Sequence, residues 1–199
     1  MVVKLDIKAE KLGVSDDILK KLGENSSKAQ ADALNRTLAG MRTDATRLIV
    51  RQSGLKRPEV FKAFTLIKAS GRSSSPHAAV KIVGAPVPRF RYGARPTGPM
   101  TGKTRGGVSF RVNAARVKFR HAFVAKMQSG HIGVFERSNE TFMAKNKNRP
   151  AIDEQFGPSI PQLAGREEVE NPVMENAGLR FRKRFDQQVN RFLKSKGVK

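Results

Sequence analysis

The sequence predicts an α+β protein, in which a twisted, mainly antiparallel sheet is packed by a long N-terminal helix and a C-terminal helix and carries a long basic loop. Near each end of the chain, apolar residues recur every three or four positions, which is the spacing of an amphipathic helix. Short alternating apolar segments fill the middle, and glycine and proline clusters separate them. These two periodicities favour helices packed on a sheet.

The first quarter of the chain predicts a short strand and two helices. Residues 2–7 alternate enough for a strand. Residues 15–22 form a short helix with two aspartates in its first turn, and both elements belong to an N-terminal arm over residues 1–25. Residues 26–53 are expected to form a long helix that Gly54 closes. Its apolar face consists of Leu34, Leu38, Met41, Ala45, Leu48 and Ile49.

The next segments predict a short helix and further strands. A second helix starts near Pro58, because proline is favoured in a first helical turn. Residues 64–68 and 78–83 form strands joined by a serine-rich turn. Residues 108–112 and 117–119 add strand material before the hairpin described next.

A hairpin followed by a loop is expected after residue 120. Residues 121–127 and 131–135 alternate, and Gln128-Ser129-Gly130 supplies the turn. Residues 138–148 are polar and basic, and therefore predict a loop that bridges to the next apolar segment.

The bridge leads into an apolar segment that is rich in proline; together they span residues 138–170. The prolines and Gly157 exclude a long helix or a central strand there. Such a segment usually crosses a surface in a fixed shape, so we expect it to meet a neighbouring subunit. The expected interface residues are Arg149, Pro150, Ile152, Phe156, Gly157, Pro158, Ile160, Pro161 and Leu163.

The last helix is expected over residues 171–199, starting at Asn171 and Pro172. Its apolar stripe serves either as core or as a seam between helices. Its opposite face is basic, and is either solvated or turned towards a polyanion. The whole chain, residues 1–199, is expected to form a single domain. The stripe consists of Met174, Ala177, Phe181, Phe185, Val189 and Phe192, and the basic face of Arg180, Arg182, Lys183, Arg184, Arg191 and Lys194.

The charge of the chain indicates an anionic partner. Thirty-nine Lys and Arg residues against seventeen Asp and Glu residues give a formal net charge of +22, which repels other copies and attracts polyanions. No acidic residue lies between Glu59 and Glu136, and the basic loop of residues 84–107 falls within this span. No sequence-reading motif accompanies the charge, so contact with phosphate backbones is the expected mode. The residues expected to face DNA or an acidic partner are Arg89, Arg91, Arg95, Lys103 and Arg105.

The sequence offers no catalytic or metal-binding constellation. The absence of cysteine excludes disulfides, thiolate zinc sites and cysteine nucleophiles. The three histidines do not fall in a metal-ligand spacing, and the glycines around Gly102 do not satisfy the P-loop spacing. No apolar run approaches the roughly 20 residues that a membrane span needs. We therefore expect no enzyme activity, no cofactor and no membrane contact.

Two motifs in the second half resemble the phage minor tail protein Z family and the related tail-completion proteins. In these families a strand of the form G-H-x-G-V-F-x-R precedes a bridge and a segment of the form R-x-P-I-x-x-x-x-G-P-S-x-P-x-L. Ala151 is a departure, because it separates Pro150 from Ile152 where many relatives have proline and isoleucine adjacent. The matching residues are Gly130, His131, Gly133, Val134, Phe135 and Arg137, followed by Arg149, Pro150, Ile152, Gly157, Pro158, Ser159, Pro161 and Leu163.

The resemblance implies a structural virion protein that completes the head-proximal end of a phage tail and joins it to the neck. It implies a homo-oligomeric ring, taken as hexameric, which meets tail-tube, terminator or neck proteins and contacts DNA non-specifically. Such a protein is assembled in the host cytoplasm and resides in the tail or neck of the virion. The alternative is a basic protein of the nucleoid or ribosome-associated type that binds nucleic acid non-specifically. It explains the charge equally well but leaves the proline-rich segment without a role.

Overall fold

A computed structural model describes residues 1–8, 25–100, 107–143 and 146–195, and its helices and strands confirm the α+β class. The chain divides into two compact units, and each is described by itself. The single domain expected from the sequence stays a prediction. The first unit comprises Met1–Arg47, Phe61–Gly84 and Pro161–Lys199, and the second comprises Leu48–Val60 and Ala85–Ile160.

The first unit contains a three-stranded antiparallel sheet in the order β1–β3–β2. Its strands are β1 (Val2–Lys8), β2 (Phe64–Ile67) and β3 (His77–Val83), which confirms the three strands expected there. The central strand β3 pairs with β1 and β2, and it buries Ala78, Val80 and Ile82 on one face and also Ala79 on the other.

The long helix expected near the N-terminus is confirmed as α1 (Asn25–Ser53). Leu34, Leu38, Met41, Ala45 and Ile49 are buried along one face, as their spacing predicts, whereas Leu48 is half-buried. The short helix expected over residues 15–22 lies outside the described residues. A short helix, α2 (Arg57–Lys62), follows α1 with Pro58 in its first turn, also as expected.

The last helix begins earlier than the sequence predicts, since α4 spans Glu167–Ser195 rather than starting at Asn171. Acidic side chains in its first turn favour this start, and the backbone N–H groups of Val169 and Glu170 both donate to the carbonyl of Arg166 at 2.8 Å. Pro172 therefore lies inside the helix, where it removes one backbone donor. Every fourth residue forms the buried stripe: Val169, Val173, Ala177, Phe181, Phe185 and Val189. The expected members Met174 and Phe192 are half-buried.

The second unit carries the remaining strands in three small antiparallel sheets. The hairpin of β5 (Val108–Val112) and β6 (Ala115–Phe119) and the pairing of β7 (Phe123–Lys126) with β8 (Ile132–Met143) confirm the expected strands. The expected turn between β7 and β8 is also confirmed, because Met127 donates to the carbonyl of His131 at 2.8 Å.

The polar bridge over residues 138–148 is not the loop that the sequence predicts. β8 continues to Met143, and β9 (Asn146–Glu154) returns antiparallel to it, with irregular register between Arg137 and Met143. Residues 144 and 145 lie outside the described residues. Backbone hydrogen bonds can hold two strands together whatever their side chains are. A polar hairpin therefore need not show the apolar alternation by which a half-buried strand is recognised in a sequence.

The basic loop over residues 84–107 is more regular than expected. It contains a short strand, β4 (Pro86–Pro88), and a 3-10 turn (Arg89–Arg91), and an isolated bridge joins Arg95 to Ser109. Residues 101–106 lie outside the described residues. Pairing with a strand that is distant in sequence orders β4, which local proline and glycine content cannot reveal.

Candidate assembly and polyanion surfaces

The proline-rich segment is built from an edge strand, a second short strand and one turn of helix. Pro150 lies in β9, the edge strand of the sheet β7–β8–β9, and edge strands tolerate a residue without an N–H. Pro158 lies at the irregularity in β10 (Phe156–Ser159), and Pro161 lies in the first turn of α3 (Ile160–Ala164). The expectation that prolines exclude a long helix or a central strand here is confirmed.

The strand β10 is held by the segment that carries the basic residues. β10 pairs antiparallel with β4, and the Tyr92 hydroxyl donates to the carbonyl of Pro158. The ring of Tyr92 lies so close to Gly157 that a Cβ at this glycine would stand 2.8 Å from Cε2. The Nε atom of Arg89 donates to the backbone carbonyl of Phe156 at 2.9 Å. Its backbone N–H donates to the backbone carbonyl of Gln155, also at 2.9 Å. Arg89 from the basic set and Phe156, Gly157 and Pro158 from the interface set are therefore parts of one framework.

Burial divides the expected interface residues into two groups. Ile160 and Leu163 are 8% and 3% exposed, and Pro161 is also buried, so these side chains pack within the chain itself. The expectation that Ile160 and Leu163 belong to a subunit interface stays a prediction. Phe156 is 47% exposed and is the large apolar side chain of the segment that remains available. Pro150, Ile152, Gly157 and Pro158 are half-buried, and Arg149 lies in β9.

Arg89 is part of the framework that holds β10. Its guanidinium lies 4.9 Å from the ring centroids of both Phe110 and Phe119, and those rings stack on each other at 4.5 Å. Together with the hydrogen bond to Phe156, this contact leaves the side chain half-buried. The expectation that Arg89 faces DNA or an acidic partner stays a prediction.

The other basic residues have different positions. Arg91 is exposed and lies 3.8 Å from Glu59, a distance at which an exposed ion pair contributes little. Arg95 is exposed, while its backbone exchanges hydrogen bonds with Ser109 at 2.7 and 2.9 Å. Lys103 and Arg105 lie outside the described residues.

Sequence reasoning missed two side chains that fix this region. Tyr92 is 3% exposed and anchors β10. Arg116 donates to the carbonyls of Ser109 and Gly93 at 3.1 and 3.0 Å, which ties the β5–β6 hairpin to the turn after Tyr92. The acceptors are backbone carbonyls 7, 23 and 66 positions away, and a backbone carbonyl carries no residue pattern that could point to it.

The described residues contain no group of three His, Asp or Glu side chains that could hold a metal ion. His131 and Glu154 form a pair at 2.8 Å, but both lie at the surface of the sheet β7–β8–β9 without further ligands of that kind among the described residues. Within the same part of the chain, no helix has the length and apolarity to cross a bilayer.

An α+β framework that presents an aromatic side chain and arginines from rigidly held strands suits a structural assembly subunit. The model of the prophage minor tail protein Z family matches residues 13–196, so the chain belongs to this family. The protein is thus a structural component of a phage tail and hence of the virion. Comparisons with curated proteins and with solved structures give no significant match. The absence of enzyme activity stays a prediction, which the structural family favours.

Proposed function

We propose that the protein completes the head-proximal end of the tail and joins it to the neck, as a homo-oligomeric ring around the tail axis. The observation that carries this proposal is the family match, which spans residues 13–196 of 199. Completion of the tail and contact with neck or terminator proteins are what the resemblance to tail-completion proteins implies.

The framework around β10 supports an assembly role. Phe156 is exposed on a strand whose backbone is fixed by Arg89 and Tyr92. An aromatic side chain held in one conformation loses little entropy on binding, and aromatic residues are enriched among those that contribute most to interfaces. Phe156 is therefore the residue of the segment that we assign to a contact with a neighbouring subunit or tail protein.

The net charge supports a position beside the DNA path. A ring multiplies the +22 of each chain, and this charge must be offset by DNA phosphates, acidic neighbours or counterions. Exposed Arg91 and Arg95 project from the second unit and are suited to contacts with phosphates that carry no sequence information.

Deletion of the gene from the prophage, followed by electron microscopy of induced lysates, tests the proposal. We expect filled heads and tails of normal length that fail to form infectious particles, with infectivity restored by the gene in trans. Cryo-electron microscopy of complemented particles should show density for several copies at the head-proximal end. Copies at the distal end of the tail, or a single copy per particle, would contradict the proposal.

A further inference from the structure

The first unit contains an arginine-lined cleft that the proposed function does not use. The cleft has a volume of about 380 Å3 and is lined by α1 and α4. Arg36 and Arg47 come from α1, Arg180 and Arg184 come from α4, and Asp44 is the acidic member of the lining.

The charge of this cleft is only partly neutralised within the chain. The Asp44 carboxylate, 8% exposed, contacts Nη1 of Arg180 and lies 3.5 Å from Nη2 of Arg47. One carboxylate is thus shared by two guanidinium groups. Among the described residues, Arg36 and Arg184 form no ion pair, and Arg184 donates only to the amide oxygen of Gln187, at 3.0 Å. The cleft therefore keeps an excess of positive charge.

A glycine lets the two helices present these side chains together. A Cβ at Gly40 of α1 would stand 2.5 Å from Nη1 of Arg180 and 3.0 Å from its Cδ. The side chain of Arg180 therefore lies directly against the backbone of α1, next to Asp44.

We propose that the cleft receives the acidic first turn of α4 from a second copy of this chain. Guanidinium groups bind carboxylates through paired, charge-assisted hydrogen bonds. The first turn of α4 carries Glu167, Glu168 and Glu170, at the opposite end of the helix that contributes Arg180 and Arg184. This proposal rests on the ring proposed above, and it identifies the two surfaces through which neighbouring copies would meet in that ring.

The pairing must be intermolecular, because one helix carries both groups. Arg180 is thirteen positions from Glu167 and ten from Glu170, which is about 20 and 15 Å along a helix. Side chains cannot close this distance, so the acidic turn reaches a cleft only on another molecule. Two different surfaces then meet head to tail, which generates a ring when the rotation between copies closes.

The charge of the whole chain favours a second copy over DNA as the occupant. Copies that each carry +22 repel one another, so a ring of them requires local pairs of opposite charge. The acidic turn of α4 supplies such a group. Asp44 repels any anion close to it, so the carboxylates of the second copy would pair with the exposed Arg36 and Arg184, which form no ion pair among the described residues.

Reciprocal charge reversal tests the contact in the full-length chain. We expect E167K/E170K and R36E/R184E each to weaken self-association at least about a hundredfold, measured by analytical ultracentrifugation at low ionic strength. We expect both to reduce complementation of the deletion prophage. Combining the four changes in one chain should restore both. Glu168 stays unchanged because it already has a partner within the chain.

Matched controls separate the local contact from the effect of net charge. E175K and R191E make the same kinds of charge change at exposed positions of α4, and we expect both to assemble normally. R36E/R184E lowers the net charge and so reduces overall repulsion between copies. A loss of association in this variant therefore reports the cleft, provided that its thermal unfolding matches that of the unaltered chain.

Cross-linking in assembled tails distinguishes a failure of this contact from a failure of the ring. The chain has no cysteine, so E170C/R36C introduces the sole pair. A bismaleimide should convert this variant, but neither single-cysteine variant, into a ladder of homo-oligomers. If tails contain several copies but show neither the ladder nor rescue by the combined charge reversal, the proposed contact is wrong, whereas the proposed ring remains supported. A single copy per tail would overturn both, and loss of DNA binding alone in R36E/R184E would identify phosphate as the occupant and overturn the proposal.

Discussion

At the scale of single residues, the same side-chain type serves two different purposes. Arg89 lies over the rings of Phe110 and Phe119 and holds the backbone of β10, whereas Arg95, six residues later, is exposed. The chemistry of guanidinium suits both uses, because it stacks on aromatic rings and also pairs with anions. Position in the fold, rather than residue type, decides between them.

The role of Phe156 can be tested against that of a buried phenylalanine. We expect F156A to change the free energy of unfolding by less than about 1 kcal/mol, because the side chain is half exposed, and yet to abolish assembly into tails. F181A should cost about 3–5 kcal/mol, because Phe181 is fully buried. Denaturant unfolding and complementation of the deletion prophage measure the two effects. Equal destabilisation by both variants would assign Phe156 to the core.

The Tyr92 hydroxyl should contribute measurably to stability. Y92F keeps the ring against Gly157 but removes the donor to the carbonyl of Pro158. Since that carbonyl is part-buried, we expect a loss of about 1 kcal/mol in the free energy of unfolding. Y92L, which also removes the ring, should cost clearly more. Unchanged stability in Y92F would show that the hydroxyl bond does not anchor β10.

At the scale of elements, glycine and proline residues determine where a helix ends and how far strands can pair. Gly54 ends α1 with φ +73°, and its N–H donates to the carbonyl of Val50 at 2.9 Å. This is the left-handed closure that glycine provides without steric cost. Pro150 lies in the edge strand β9, and Pro158 lies where the register of β10 is irregular. At these positions a proline limits strand pairing without preventing it.

Substitution of Gly54 should therefore be costly where substitution of another loop glycine is not. We expect G54A to lower the free energy of unfolding by about 1–2 kcal/mol, because alanine is strained at positive φ. Its Cβ would also stand 2.8 Å from Cδ of Arg111. G98A is the matched control, since its Cβ would meet no atom within 4 Å. Equal thermal melting of the two variants would contradict this account of the helix end.

At the scale of the whole molecule, the charge predicts a salt-dependent, sequence-independent affinity for DNA. We expect log K to fall linearly with log salt concentration, with a slope of about −0.9 per phosphate neutralised. R91Q/R95Q should make this slope shallower by at most about 1.8, since each arginine can neutralise one phosphate, without altering thermal unfolding. R89Q should instead lower stability, because Arg89 is part of the framework. An unchanged slope in R91Q/R95Q would remove both residues from the DNA-facing surface.

The sequence by itself determined the elements whose signals are local. The long helices, the strands with regular alternation and the turn at Gly130 follow from the periodicity of apolar residues and from glycine, which a chain segment carries wherever it lies. The family can also be recognised from the sequence, because the motif residues from Gly130 to Leu163 follow one another along the chain and only the bridge interrupts them.

Only the tertiary structure decided which of these residues are exposed. Three findings depend on segments distant in sequence: the burial of Ile160 and Leu163, the framework role of Arg89, and the lining of one cleft by Arg36 and Arg184. The sequence does not predict the hairpin of β8 and β9, because backbone hydrogen bonds form with any side chains and leave no pattern in the residues. Local composition fixes what a segment can form, whereas packing between distant segments fixes which of its side chains remain available to a partner.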